Sequence, residues 1–260
     1  MPHAQLFAVD ELEEPTGALN FICEIPKWTN KKYEVATKEE GNPIKQDEKK
    51  GQLRTFKKGD IYFNYGCFPR TWEDPDFVHP DAGVGGDNDP LDVCEIGLRQ
   101  IGVGETRQVK VLGVLCMIDD GEADWKIIAI DVNDRWASEL NDVEDVEHLL
   151  PGTISAVREW FRTYKIPDGK PPNVFGLGER CMPRAYAMNV IHETHRAWEH
   201  LLRSSDEASG TTGSGMKRKE LSHPKLSDLG GDMSIRADLQ SAKKLSSEDL
   251  SKMCSKSIIA

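Results

Sequence analysis

Asp87, Asp89 and Asp92 fall within the short stretch Gly85-Gly86-Asp87-Asn88-Asp89-Pro90-Leu91-Asp92. Pro90 forbids a helix interior there, so the first two aspartates sit in extended or turn backbone and the third opens a strand. Two carboxylates ~5 Å apart repel by roughly 3 kcal/mol at an effective dielectric of 20, and a third multiplies the pairs. A cation must compensate, or protons must return. Hard oxygen ligands without histidine or thiolate suit Mg²⁺, Mn²⁺ or Ca²⁺ and not zinc, with Mg²⁺ the first choice. A second acidic stretch, Asp119-Asp120-Gly121-Glu122-Ala123-Asp124-Trp125-Lys126, joins two strand candidates. A hairpin tip there would turn Asp119 and Asp124 toward the first cluster, although the residues alone read equally as a polar turn.

A polyanion held through metals also needs fixed cations, because Arg and Lys neutralise its remaining oxygens and the charge that develops as a bond breaks. Lys32, Arg54, Lys126 and Lys165 are the candidates, each readable on its own as a solvated surface charge. Tyr164 and Lys165 open the turn-rich run Tyr164-Lys165-Ile166-Pro167-Asp168-Gly169-Lys170-Pro171, where they could meet phosphate or simply end a helix. Other chemistries are disfavoured. His192-Glu193-Thr194-His195 is one residue short of the metalloprotease helix motif, and the run from Asp87 to Glu95 lacks the glycine and closing glutamate of an EF-hand. No Walker phosphate loop is present.

These side chains need a scaffold. Leu19 to Ile25, Tyr33 to Ala36, Ile61 to Tyr65, Leu91 to Ile96, Val109 to Ile118 and Trp125 to Val132 are apolar, β-branched runs punctuated by Gly, Pro, Asn and Asp, and they read as strands. Strands joined by loops suggest a closed or partly closed barrel. The period then changes to helical. Ile154, Val157, Trp160, Phe161 and Tyr164 recur after Pro151, and Met188, Ile191, His195, Trp198 and Leu202 after Pro183, predicting two amphipathic helices on the barrel. A short acidic helix, Asp142 to Leu149, is expected with Asn141 as its cap. From Ser204 onward few large apolar residues remain, which predicts a mostly disordered tail with a brief helix near Ser246 to Met253.

With 38% hydrophobic and 30% charged residues, the 260-residue chain has an ordinary globular composition. A net charge of −11 argues against general attraction to nucleic acid or an anionic membrane. No apolar run approaches the ~18 residues that a spanning helix needs. The six cysteines form no CxxC pair, and the opening residues include Asp10, Glu11, Glu13 and Glu14, where a targeting peptide would be acid-poor, so the reading places the protein in the cytoplasm.

Taken together, Glu24-Ile25-Pro26-Lys27-Trp28-Thr29-Asn30, Asn64-Tyr65-Gly66, Thr71-Trp72-Glu73-Asp74-Pro75, the Gly86 to Asp92 stretch, Asp124-Trp125-Lys126 and the Tyr164 to Pro171 run resemble the soluble family I inorganic pyrophosphatases in their eukaryotic form. The likeness covers 18–203, leaving a variable segment at 1–17 and the tail at 204–260. It implies a mainly β fold, an OB-like five-stranded β-barrel flanked by two long α-helices. It also implies several Mg²⁺ ions per active site, with Mn²⁺ as the alternative, and hydrolysis of inorganic pyrophosphate to two orthophosphates by metal-activated water. Carried over by position, Asp87, Asp92 and Asp124 resemble the primary metal ligands, and Asp119 a ligand for a further ion. Glu24 and Glu34 match accessory carboxylates around the metals. Asp89 matches the carboxylate that takes the proton of the attacking water, and Lys126 an active-site lysine. Lys32, Arg54, Tyr65, Tyr164 and Lys165 match phosphate contacts.

The chain also departs from that pattern. The stretch Thr55 to Phe63 is shorter than in the family, and Ile61 stands where the family has its first active-site tyrosine. Opening strands are missing, so an unpaired barrel edge is expected to need cover. Trp28 lies where eukaryotic relatives use a tryptophan for dimer contact, which leaves a homodimer open. Two weaker readings stay open beside the enzyme: a family member kept as a regulatory subunit, and a divalent-cation-binding module without chemistry.

Overall fold

The computed structural model describes residues 17–209 apart from 38 and 40. The variable opening segment up to residue 16, the tail beyond 209 and the helix expected near Ser246 lie outside the described residues. In chain order the elements are β1 (Ala18–Ile25), β2 (Tyr33–Val35), β3 (Ile44–Gln46), β4 (Glu48–Lys49), β5 (Gln52–Leu53), β6 (Asn64–Cys67), β7 (Asp92–Glu95), β8 (Thr106–Asp119) and β9 (Glu122–Asp131). Then come α1 (Val143–Leu149), α2 (Thr153–Thr163), β10 (Val174–Phe175), β11 (Met182–Pro183) and α3 (Arg184–Ser209).

β8 and β9 form the longest ladder, from Val109↔Asp131 to Asp119↔Glu122. Their turn is Asp120-Gly121, both at positive φ (48° and 96°), a pair of conformations that Asp-Gly adopts with little strain. β1 alternates, burying Phe21, Cys23 and Ile25 on one face. It pairs antiparallel with β6 and β8, β6 pairs with β7, and β7 runs parallel to β9. The pairings therefore return to β1 through β6, β7, β9 and β8, a ring of five strands. The unpaired edge expected at the barrel's opening strand is not found among the described residues, because β1 has a neighbour on each side.

Closure depends on a close backbone approach. A methyl group added to Gly66 in β6 would lie 2.0 Å from the Ile22 carbonyl oxygen of β1, and backbone cannot swing aside as a side chain can. Gly66→Ala is expected to lower the unfolding free energy by about 1–3 kcal/mol, read as a fall in the urea midpoint at unchanged slope.

α2 buries Ile154, Val157, Trp160 and Phe161, the spacing foreseen, and packs them on Phe56, Ile61, Phe63, Leu115 and Met117. Each such aliphatic or phenyl side chain contributes about 1.5–3 kcal/mol by leaving water. α3 is rotated from the expected face. Its buried side is Tyr186, Ala187, Val190, Ile191, Thr194 and Ala197, whereas Leu202 is exposed. Alanines and a threonine let this helix approach β8 closely, and a count of large apolar residues gives them too little weight. α3 also runs on through Ser209, past the point where the composition predicts a tail. Two further expectations need correction. The cap of α1 is Asp142, in a capping box with Asp145, while the Asn141 side chain accepts from Lys110. The strand expected from Ile61 begins at Asn64, since Ile61 makes only an isolated bridge to Thr29.

Between β1 and β6 two small hairpins, β2–β3 and β4–β5, form a charged lid. Three of its residues are joined by backbone bonds: Lys32 N–H donates to Arg54 O (3.1 Å), Asp47 N–H to Lys32 O (2.8 Å), and Arg54 N–H to Asp47 O (2.8 Å). That ring fixes the starting points of three charged side chains side by side.

Candidate active site

The parallel β7–β9 pair sets Asp92 directly beside Lys126, and the two-residue period of β9 puts Asp124 on the same face as Lys126. Lys126 is 1% exposed, and its ammonium contacts carboxylate oxygens of both Asp92 and Asp124. It also donates to the Tyr65 hydroxyl at 3.0 Å, and that hydroxyl donates to Asp92. Burial opposes the charge of Lys126, but Asp124 and Asp92 outweigh it and hold its pKa well above the ordinary lysine value.

The acidic loop lies against residues 71–75. Asn88 N–H donates to Glu73 O and Glu73 N–H to Asp89 O, each at 2.9 Å, and Gly86 N–H donates to Asp74 O at 2.9 Å. Gly85 and Gly86 permit this, since a methyl group there would lie 2.1 Å from Pro75 O and 2.4 Å from the Glu73 carbonyl carbon. Ala123 N–H then donates to Gly85 O at 2.7 Å, tying the loop to β9. The result is a carboxylate group that no sequence spacing announced: oxygens of Glu73, Asp87 and Asp124 lie within 4.8 Å of one another.

Burial, with Asp92 nearby, pushes the Asp87 carboxyl up to about 7 and that of Glu24 up to about 8. Burial followed by Asp87 and Asp124 raises Glu73. Asp89 is exposed, also raised by burial and then by Asp92 and Glu34, with Lys32 and Lys126 acting in opposition. Asp92 thus acts electrostatically on Glu24, Glu73, Asp87 and Asp89.

The donors fit a hard divalent cation. They are all carboxylate oxygens, and Glu73, one of the three residues, has a buried oxygen, Oε2, with no hydrogen-bond partner among the described residues. The neighbouring thiols are unsuitable ligands, because burial pushes Cys67 and Cys94 well up and keeps them protonated.

The lid adds the cations. Lys32 contacts Glu34 and reaches Asp47 at 3.1 Å, and Arg54 contacts the same Asp47 oxygen. Burial disfavours the Asp47 charge, but Lys32 and Arg54 prevail and hold its carboxyl below the usual range. Glu24 ties lid to barrel by accepting Val35 N–H at 2.8 Å. At the far end of the β8–β9 hairpin, Lys165 grips Asp119, and the Tyr164 hydroxyl donates to it at 3.3 Å. Burial and then Asp119 raise the Tyr164 phenol, leaving it a donor. Tyr164, bonded to Asp119, also feels Asp124 and Lys126. Ile61 is fully buried in the core, and Tyr62 packs edge-on against Phe63 with its ring centre 5.4 Å away, so neither supplies the missing tyrosine.

Sequence reasoning missed Glu73 and Asp47 as site residues. Glu73 was visible only inside the Thr71 to Pro75 motif, and Asp47 lies among Lys and Glu with nothing to single it out.

Known proteins are similar to this chain over most of its described part. The family described as inorganic pyrophosphatase matches residues 21–199. The inorganic pyrophosphatase of Debaryomyces hansenii is 56% identical over 196 residues, 74% of this chain and 68% of that protein. Among solved structures, the inorganic pyrophosphatase from Schistosoma japonicum shares 47% identity at a TM-score of 0.69, covering 71% of this chain and 66% of that one, just under two thirds. An N-terminally truncated Trypanosoma cruzi vacuolar soluble pyrophosphatase in complex with PPi shares 47% identity at a TM-score of 0.71 and covers 78% of each chain. A family match over more than half the chain, joined to such identities, means that this protein belongs to the inorganic pyrophosphatase family, whose members are metal-dependent hydrolases of pyrophosphate.

Proposed function

We propose that this chain hydrolyses inorganic pyrophosphate to two orthophosphates with Mg²⁺ bound by Asp87, Asp92 and Asp124. Asp119 serves a further ion, and Glu24 and Glu34 serve as accessory carboxylates. The observations that support the reading are the grouping of Asp87 and Asp124 with Glu73 and the buried Lys126 that Asp124 shares with Asp92. Divalent ions bound there would neutralise phosphoryl oxygens and lower the pKa of water.

The chain's own groups do the rest. The Asp89 carboxylate takes the proton of the attacking water, a role that its exposure and the influence of Asp92 on it support. Lys126 keeps its ammonium charged against developing phosphate charge, and the Tyr65 hydroxyl, fixed by Asp92, adds a donor. Lys32 and Arg54 from the lid, and Tyr164 and Lys165 from the end of α2, bind phosphate oxygens. Asp47 and Asp119 hold these cations in place beforehand.

Phosphate release from pyrophosphate in the presence of Mg²⁺ should be abolished by EDTA and restored by excess Mg²⁺. Release no greater than that of a heat-killed control at every Mg²⁺ concentration would refute the proposal. The buried Ile61 favours a second reading, a weakly active family member, in which restoring the longer loop with its tyrosine raises turnover strongly.

Two finer assignments accompany the activity. Trp28, 62% exposed, offers an apolar contact for a homodimer. The five described cysteines are all free, which suits the reducing cytoplasm.

A further inference from the structure

Glu73 has no part in the roles assigned so far, yet it is 3% exposed and stands at the centre of the acidic group. Its two oxygens are treated differently. Oε1 accepts Trp125 N–H at 2.9 Å, which ties this side chain to the strand position after Asp124. Oε2 is buried and meets no donor among the described residues. A glutamine would make the Trp125 bond equally well without bringing a negative charge into a buried site. The second oxygen is therefore unexplained by structure alone, and the carboxylate that carries it has an oxygen grouped with those of Asp87 and Asp124 within 4.8 Å.

We propose that Glu73 is a positioning residue of the metal centre: Oε2 completes the oxygen environment of the divalent ion that Asp87 and Asp124 hold, while Oε1 keeps Asp124 aligned with the acidic loop. The backbone supports both tasks. Glu73 exchanges hydrogen bonds with the loop at Asn88 and Asp89, so the residue that faces the ion also braces the segment carrying Asp87. This inference rests on the metal reading proposed above.

Mn²⁺ binding by Glu73→Gln, measured by calorimetry without pyrophosphate, tests it. Outer partners of metal ligands typically change affinity about 10–100-fold, so the Mn²⁺ dissociation constant should rise at least about tenfold. In EDTA the urea midpoint of the variant should equal or exceed the parent's, because the Trp125 bond survives and no carboxyl remains to be held among Asp87 and Asp124. A purely structural role predicts parental Mn²⁺ affinity, and an affinity within twofold of the parent overturns the inference. Should Glu73→Gln not fold, Glu73→Asp retains the charge but draws it back, and Mn²⁺ affinity within twofold of the parent overturns the inference there too. Failure of the parent protein itself to bind Mn²⁺ would instead overturn the metal reading, and this inference with it.

Discussion

Lys126→Met is expected to lower the unfolding free energy of the metal-free protein by about 3–5 kcal/mol, the usual cost of stripping one partner from a buried ion pair. The lysine is 1% exposed, and its ammonium is shared by Asp92 and Asp124 and lies 5.1 Å from the centre of the Phe161 ring. Methionine fills the space but leaves two adjacent carboxylates without their cation. Urea unfolding in EDTA reads the loss, and saturating Mg²⁺ should recover part of it, because bound ions replace the missing positive charge. A loss below about 1 kcal/mol, the size of an exposed pair, would mean that the ammonium does not hold these carboxylates together.

Asp89→Asn should behave in the opposite way. Its carboxylate is exposed and has no hydrogen bond among the described residues, for only its backbone is engaged, the N–H with Asp87 at 3.0 Å and the carbonyl with Glu73 N–H at 2.9 Å. Stability should therefore stay within about 0.5 kcal/mol of the parent, as for most surface substitutions. Loss of a general base removes a proton acceptor worth about 10²–10⁴-fold, so kcat for phosphate release should fall by that factor while Mn²⁺ affinity changes little. A fall of less than tenfold would refute Asp89 as the base. The pair of variants separates the two duties of the acidic residues, since one change affects the stability of the metal-free fold and the other affects turnover.

Much of this was legible beforehand, for identifiable reasons. β8, β9 and α2 show their periods because long runs face a continuous core, and the Asp120-Gly121 turn is written in its residue types. The lid was not legible beyond β2. β3, β4 and β5 are two or three residues long, too short for any period to emerge. α3 misled because Tyr186, Val190 and Ile191 share its buried face with alanines and a threonine, and its tryptophan and leucines do not. At the site, the aspartates of the Asp87 to Asp92 stretch announce themselves by crowding in sequence. Glu73 does not, because its crowding exists only after the 71–75 segment has been laid against the acidic loop. Asp47 likewise acquires its partners only when the lid's backbone ring brings Lys32 and Arg54 to it.

The seam of the barrel carries a kinetic consequence. Ile22 of β1 must wait for Cys67, and Ala18 must wait for Lys110, before the ring can shut. Pairings so distant along the chain are slow to form, since a long loop must be closed before any contact rewards it. A nascent polypeptide leaving the ribosome would carry Phe21, Cys23 and Ile25 on a strand with both flanks bare until β6 emerges and one flank bare until β8 has been synthesised, and bare strands invite stray association. The interval between translating the first strand and the eighth is thus the period in which this protein most needs a chaperone.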